Sequence, residues 1–325
     1  MTLTLIVLAA ALVIDRFVGD PPGLWARVPH PVVVFGWAIS FLDRMFNGKR
    51  MTPETRRFNG AVAIGALLAA SLFAGYLLHE LLGLLGWPGL VLEALVVALF
   101  LAGKSLADHV GAVAAGLSER GLEGGREAVS MIVGRDPATL DEPAVCRAAI
   151  ESLAENFSDG VVAPALWYVL LGLPGLLAYK MLNTADSMIG HRNAKYLEFG
   201  WAAARLDDIA NWPAARLSIL LIAAGARAAI GGAAARAALD VGLRDNGLHR
   251  SPNSGWPEAA MAGALGVGLA GPRVYGGVKV DEAMMNAAGR TTATPADIGR
   301  GIRVFEYACD ALVVLALAGA ALAAF

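Results

Sequence analysis

Charge, cysteine and strand-like alternation are all scarce in this sequence of 325 residues. Asp, Glu, Lys and Arg make up 17% of it and the formal net charge is -2, whereas charged residues fill about 25% of an ordinary soluble domain. No tract of Lys and Arg could neutralise a phosphate backbone, so nucleic acid is not expected as a partner. The two cysteines, Cys146 and Cys309, form no CxxC, and no His pair stands at ligand spacing. A disulfide framework and a zinc cage are therefore not indicated, and both thiols read as packing residues. No fixed-period repeat is present. Apolar side chains dominate instead: 57% of the chain is hydrophobic and 38 residues are Gly. That is not the composition of a water-soluble globule.

Apolar runs near twenty residues are the relevant signal, because a bilayer core of about 30 Å takes about that many helical residues. Four spans are expected: 2–14, 60–85, 88–102 and 304–325. The first ends at Asp15-Arg16 and reads as a retained span rather than a secretory signal, since it has neither a positive start nor a small-residue cleavage site. The second and third, joined by Gly86-Trp87-Pro88, read as a helical hairpin. Two further stretches are compromised: 161–179 by Pro164, Gly172, Pro174 and Gly175, and 213–230 by Arg216 and Arg227. A small-residue helix over 259–270 is too short to span and is expected to be buried, with Ala262, Gly266 and Ala270 on one face. The fold class is an all-α, polytopic membrane bundle, a single domain over 1–325, with broken or re-entrant helices around a polar cavity.

Basic residues gather in 15–59 and 103–160, which places both segments inside. The preferred topology has four spans, both termini outside, and a middle section dipping into or lying against the inner leaflet.

Two motifs look like chemistry and are not read as such. Lys104 in ALFLAGKS falls short of a phosphate loop because Ala98 replaces the first Gly, and Gly103-Lys104 reads as the end of an apolar helix. Gly266 to Gly271 reads GVGLAG, yet no strand precedes it and Pro272 blocks a helix.

The middle of the chain differs in kind. Arg147, Glu151, Glu155 and Asp159 recur every fourth residue, one stripe of a helix, and Gly160 leads directly into an apolar stretch where acids are costly unless they serve a site. KMLNTADSMIGHR then crowds Lys180, Asn183, Asp186, Ser187, His191 and Arg192 together, with Asn183, Ser187 and His191 on one face. GWAAARLDDIANWP supplies Asp207 and a spaced set of Arg205, Asp208 and Asn211. SPNSGWPEAAMAG brings Ser251, Asn253, Trp256 and Glu258. Near the start, Asp15, Asp20 and His30 lie in a proline-stiffened loop that could touch substrate. Polar islands alternating with apolar helices call for a hydrated, charge-balanced cavity. Carboxylates with Asn suit Mg²⁺, which commonly reaches a nucleotide through its phosphates, and Lys180, Arg192 and Arg205 suit phosphate or carboxylate oxygens. On pattern alone an enzyme and a transporter, whose site also lies between broken helices, are equally served.

These same strings carry a resemblance. DRFVGDPP with HPV, then GRD, ESLAENFSDGVVAPALWY, KMLNTADSMIGHR, FGWAAARLDDIANWPAARL and SPNSGWPEAAMAGALG resemble, in order from Asp15 to about Gly277, the CbiB/CobD family of cobalamin biosynthesis. The resemblance implies an inner-membrane amide synthase that joins adenosylcobyric acid to (R)-1-amino-2-propanol or its O-phosphate, with ATP and Mg²⁺. It also implies association with the lipid bilayer and with other late cobalamin-pathway membrane proteins. A carboxylate is a poor electrophile, so ATP would phosphorylate it and the acyl phosphate would meet the amine in a water-poor pocket. The residues expected to carry catalysis are Glu151, Glu155, Lys180, Asp186, His191 and Arg192. Metal is expected on Glu155, Asp159, Asp186 and Asp208. Substrate or nucleotide contacts are expected from Asp15, Asp20, His30, Asn156, Asn183, Arg205, Asn211, Asn253, Trp256 and Glu258. The competing readings are a membrane sensor of the AmpE type and a corrinoid transporter.

Overall fold

A computed structural model describes residues 1–19, 22–133, 137–271, 273–275, 278–280 and 282–324. Asp20 and the GRD string (134–136) lie outside them. The chain is almost wholly helical. In order run α1 (Thr2–Val18), α2 (Pro22–Trp25), α3 (Pro31–Phe46), α4 (Pro53–Gly83), α5 (Trp87–Phe100), α6 (Gly103–Ser130), α7 (Glu142–Phe157), α8 (Ala163–Ile189), α9 (Trp201–Ala229), α10 (Gly232–Asp245), α11 (Gly255–Leu265) and α12 (Pro295–Leu322). Among the described residues between α11 and α12 lie four short strands, β1 (Leu269–Ala270), β2 (Arg273–Tyr275), β3 (Val278–Val280) and β4 (Met284–Met285), paired antiparallel as β1 with β4 and β2 with β3. These were not expected.

The starts of the helices follow from local chemistry. Thr52 precedes Pro53 and its side chain accepts the Thr55 N–H at 3.3 Å, and Asp141 caps α7 through the Ala144 N–H at 2.9 Å. Such caps satisfy donors that a first turn otherwise leaves open, and a following Pro costs no hydrogen bond there.

Among the described residues five helical stretches are long and apolar enough to cross a membrane: Pro53–Gly83, Trp87–Ser130, Glu142–Ile189, Trp201–Ala229 and Pro295–Leu322. One contains the expected span 88–102, and two cover most of the expected spans 60–85 and 304–325, ending at Gly83 and Leu322. The two compromised stretches belong to the other two, so their prolines and arginines do not disqualify them. The expected first span is helical, but α1 has 17 residues, a rise of about 25 Å that stops short of a full core. The expected helix at 259–270 ends early: Gly266, at φ +67°, caps α11 and Ala270 pairs with Met284 in a ladder, so Ala262, Gly266 and Ala270 do not share a face. Gly103 does not terminate a helix either. α5 ends at Phe100, and Gly103 opens α6, where Lys104 pairs with Asp108 at 2.6 Å.

The contacts divide the chain into two compact units. The first comprises Met1–Leu101, Ala163–Asn211 and Gly319–Phe325. Here α4 packs along α8, α1 along α5, and α3 against α8. The backbone of α8 is interrupted at Gly172, φ +66°, two residues before Pro174. A non-Gly residue would be strained there, and the break tolerates a proline that a continuous helix would not. Gly75 of α4 faces that break so closely that a Cβ would meet the Pro174 backbone.

The second unit comprises Ala102–Val162 and Trp212–Ala318. Here α10 packs on α11, α6 on α7, and α11 on α7. α7 is its buried axis: Val145, Cys146, Ala149, Ile150, Leu153, Ala154 and Phe157 are wholly enclosed, and Phe157 meets Phe305 edge-on at 5.5 Å. Cys146 and Cys309 are both buried and neither is in a disulfide, in keeping with the packing role expected of them.

Candidate functional site

Each unit holds its own polar cluster. In the first, α8 brings Tyr179, Asn183 and Asp186, and α9 brings Arg205, Asp207, Asp208 and Asn211. The Tyr179 hydroxyl donates to Asn211 Oδ1 at 2.7 Å, and Asn211 Nδ2 donates to Asp207 Oδ2 at 2.8 Å. All three side chains are buried. Asp207 Oδ1 is also buried and takes no donor of hydrogen-bond geometry among the described residues, although the Asn183 amide stands beside it. Asp186 and Asp208 are near enough for their charges to act on Asp207, while Arg192 and Arg205 act on Asp208. The result is a buried carboxylate among like charges, while the exposed Arg192 and Arg205 act on its half-buried neighbour Asp208.

His191 does not continue the face of Asn183 and Ser187. The helix ends at Ile189, Asp186 O receives the Gly190 N–H at 2.7 Å, and a side chain on residue 190 would collide with the Asp186 carboxylate. His191 and Arg192 are therefore exposed residues beyond the helix. Ser187 bonds back to Asn183 O, and Lys180 is half-buried. The expected set of Arg205, Asp208 and Asn211 at i, i+3, i+6 is also redistributed: Arg205 is exposed, Asp208 half-buried, and the buried acid is Asp207. The readable signal was the i, i+4 spacing of Asp207 and Asn211 on the face that carries Ala203, Ala210 and Ala214. Tyr179, counted as part of an apolar run, was missed as well.

A second buried acid of this unit also went unread. Glu93 sits inside the apolar α5, where the Tyr168 hydroxyl donates to its Oε1 at 2.8 Å and His79 Nδ1 lies 3.4 Å from Oε2. Acids at such positions rarely occur without partners. Of the N-terminal candidates, Asp15 is buried on α1, and His30 caps α3 by accepting the Val32 N–H at 3.2 Å while packing edge-on to Trp25.

In the second unit Glu151 and Glu155 of α7 are met by donors from other segments. The α7 stripe is not solvated: Glu151 is buried, and its Oε1 accepts the Ala270 N–H at 2.8 Å. Arg147 donates to Thr291 O rather than pairing with Glu151 as a surface stripe would. Glu155 Oε1 accepts the Ser254 hydroxyl at 2.8 Å. A π-helical turn, Ser158–Val162, follows α7; its extra residue per turn rotates Asp159 out of the i, i+4 register. Asn156 is exposed and bonds back to Ser152.

Around the start of α11, Ser251 Oγ accepts the N–H groups of Asn253 and Ser254 at 3.2 Å. Arg216 donates to Asn253 Oδ1 at 2.9 Å, and its guanidinium lies 4.4 Å from the ring centres of both Trp212 and Trp256. Glu258 is buried, 3.7 Å from His249 Nε2. Arg216, noted in the sequence only as an interruption of an apolar stretch, is the centre of this arrangement.

Among the described residues no group of three or more His, Cys, Asp and Glu side chains forms a ready metal cage. A hard cation needs only one or two carboxylates when phosphate and water complete its shell.

Fold and clusters together define a polytopic helical membrane protein with buried, specifically hydrogen-bonded acids. The comparisons then narrow the class. The family described as CobD/Cbib protein matches residues 8–305. A protein from Sinorhizobium sp named "Cobalamin biosynthesis protein CobD" is 68% identical over 97% of each chain. Proteins of the same name are 52% identical in Brucella suis, over 100% of this chain and 99% of that one, and 43% identical in Rhodobacter capsulatus, over 95% of each. No solved structure matches. The chain belongs to the CobD/Cbib family, and its role lies in cobalamin biosynthesis.

Proposed function

We propose that the protein is an ATP- and Mg²⁺-dependent amide synthase of the inner membrane, joining adenosylcobyric acid to (R)-1-amino-2-propanol or its O-phosphate. The observation that carries this reading is the Tyr179–Asn211–Asp207 chain of hydrogen bonds with Asp186 and Asp208 beside it. A buried acid with one oxygen short of a well-placed donor among the described residues and like charges nearby is costly. A cation or a protonated amine relieves that cost.

Mg²⁺ would need only one or two of Asp186, Asp207 and Asp208, with phosphate and water completing its shell, and Arg192 and Arg205 stand near Asp208, suited to phosphate oxygens. ATP with Mg²⁺ supplies a phosphoryl group that turns an unreactive carboxylate into an acylating agent. The protein's own residues position and stabilise charge. Tyr179 and Asn211 fix the Asp207 carboxylate in one orientation. Asp186 and Asp207 are the groups that attract the ammonium of the amine and take the proton it sheds on forming the amide. Arg192 and Arg205 hold anionic oxygens at the exposed end. In the second unit Trp256, Asn253 and Arg216 form a rigid aromatic and amide surface of the kind a large planar ligand packs on; Glu151, Glu155 and Glu258 hold that surface in shape.

The test is an assay of protein purified in detergent, with adenosylcobyric acid, ATP, Mg²⁺ and each amine in turn. ATP-dependent formation of the amide with one amine is expected. Corrinoid bound but left unchanged under all combinations would refute the reading. So would a deletion strain that supplied cobinamide fails to rescue while corrinoid uptake is otherwise intact; that outcome favours transport.

A further inference from the structure

We infer that the first unit carries a binding site for an anionic phospholipid, with the lipid phosphate on Arg57 at the start of α4 and one acyl chain in an apolar cleft between α4, α8 and α9. The cleft has a volume of about 270 Å³ and is lined by Leu68, Leu72, Trp167, Leu171, Leu206 and Ile209, among others. It opens to the outside of the helices, for Leu171 and Ile209 are more than half exposed, and all three helices belong to stretches apolar enough to span a membrane. The surroundings of such a cleft are lipid.

The cleft is a built feature. The break of α8 at Gly172 and Pro174 parts its wall from the regular helical path, and Gly175 lets the two halves of α8 close on each other there, since a Cβ would meet the Trp167 carbonyl. The indole of Trp167 is pinned there, its Nε1 donating to Ala210 O at 3.1 Å. The volume suits a single hydrocarbon chain and not a helix, which with side chains is about 10–12 Å across.

The headgroup end is marked by charge. Arg57 shares a face of α4 with Leu68 and Leu72, since 11 and 15 residues at about 100° each bring them within about 60° of one another. Leu68 lies about 16 Å along the axis from Arg57, the depth an acyl chain reaches in half of a core of about 30 Å. Trp201, at the start of α9, packs under the Arg57 guanidinium at 4.0 Å, an indole and a cation paired as at a membrane interface. Its neighbour Arg56 is consumed by Asn47 Oδ1 and by the Ala194 and Lys195 carbonyls. Among the described residues, Arg57 makes the Trp201 contact and no hydrogen bond or ion pair, so its donors are open to a phosphate.

Native mass spectrometry and thermal midpoints of the full chain in detergent test the site, with phosphatidylglycerol, phosphatidylcholine and inorganic phosphate as separate probes. Phosphatidylglycerol is expected to remain bound and to raise the midpoint, and Arg57→Gln to weaken it about fivefold, the effect of one basic residue near an anionic surface. Leu72→Trp, which fills the cleft, should remove it, whereas Leu77→Trp, on α4 but away from the lining, should not. Equal retention by wild type, Arg57→Gln and Leu72→Trp would overturn the site. Phosphatidylcholine binding as tightly would overturn the headgroup half, and inorganic phosphate protecting as well as the lipid would overturn the acyl half. If Leu72→Trp changes the oligomeric state and not the lipid count, the cleft is a protein interface and the inference is wrong. Arg57→Gln alters an exposed side chain and keeps the test decisive even if the cleft variant does not fold.

Discussion

Asp207 in the first unit and Glu151 in the second are buried to a similar degree, and both stand on helices within apolar stretches. Their surroundings differ. Glu151 Oε1 receives the Ala270 N–H, and its neighbour one turn on, Glu155, receives the Ser254 hydroxyl. Asp207 has Asn211 on one oxygen, only the Asn183 amide beside the other, outside hydrogen-bond geometry among the described residues, and two more acids close by. Burial makes an acid expensive in both places; what differs is whether the fold already meets that cost. Where the surroundings meet it, the acid braces structure. Where they leave it partly unmet, the acid is poised for a ligand.

The strongest way to break this contrast is Asp207→Asn, which keeps the shape and removes the charge. It is expected to cut amide formation at least about 100-fold, close to 3 kcal/mol of transition-state stabilisation, without lowering the thermal midpoint, because an uncompensated charge is taken out of the interior. Asp186→Ala should behave alike in activity. A lowered midpoint with activity intact would reverse the assignment of the two clusters.

Glu151→Ala should do the opposite, destabilising by about 2–3 kcal/mol as the Ala270 N–H loses a charged acceptor. Its midpoint in detergent would fall by several degrees. An unchanged midpoint with abolished turnover would place Glu151 among the reacting groups. Tyr179→Phe sharpens the comparison inside the first unit: Asn211 Oδ1 loses its donor, at about 1 kcal/mol, and turnover should drop about tenfold because Asp207 is no longer held in one orientation. Equal turnover in wild type and variant would show that the Tyr179 hydrogen bond is structural only.

The smallest effect concerns pH, at a site in the second unit outside the spans. The Arg244 side chain, assisted by the Asn286 N–H, holds the Asp245 carboxyl below its ordinary value of 3.8. A carboxylate so depressed stabilises the fold fully above that ordinary value and loses the contribution as pH falls through its folded pKa. Asp245→Asn should therefore lower the midpoint at neutral pH, with the gap closing as pH drops below about 3.8. A gap that persists at lower pH would mean that Asp245 acts through packing.

Much of the helical framework was legible because long apolar runs and prolines act locally. Gly86-Trp87-Pro88 turns the chain between α4 and α5 as expected, whereas the starts at Thr52-Pro53 and at Asp141 went unread because they lie in polar stretches ahead of the apolar runs. The polar islands were legible as islands. Their inner order was not. Asn183, Ser187 and His191 match a helical face on paper, yet Gly190 ends the helix and leaves His191 in solvent. Asp207 and Asp208 are adjacent and chemically identical, and only the packing of α9 decides which is buried. Tyr179, Tyr168, Glu93 and Arg216 were hidden because each lies within an apolar stretch whose average masks a single polar atom. The strands near Ala270 and Met284 are too short for alternation to register.

The sequence by itself determined a helical, membrane-suited chain with acids at the borders of apolar stretches, and its motifs placed it in a cobalamin-biosynthesis family. Periodicity and composition suffice for that because they report short-range geometry and mean solvation. Tertiary structure alone decided which acids are satisfied and which are left wanting a donor. Satisfaction depends on a donor or acceptor from a distant segment, such as Ala270 for Glu151 or Tyr179 for the chain through Asn211 to Asp207, arriving within about 3 Å, and no local pattern encodes that meeting.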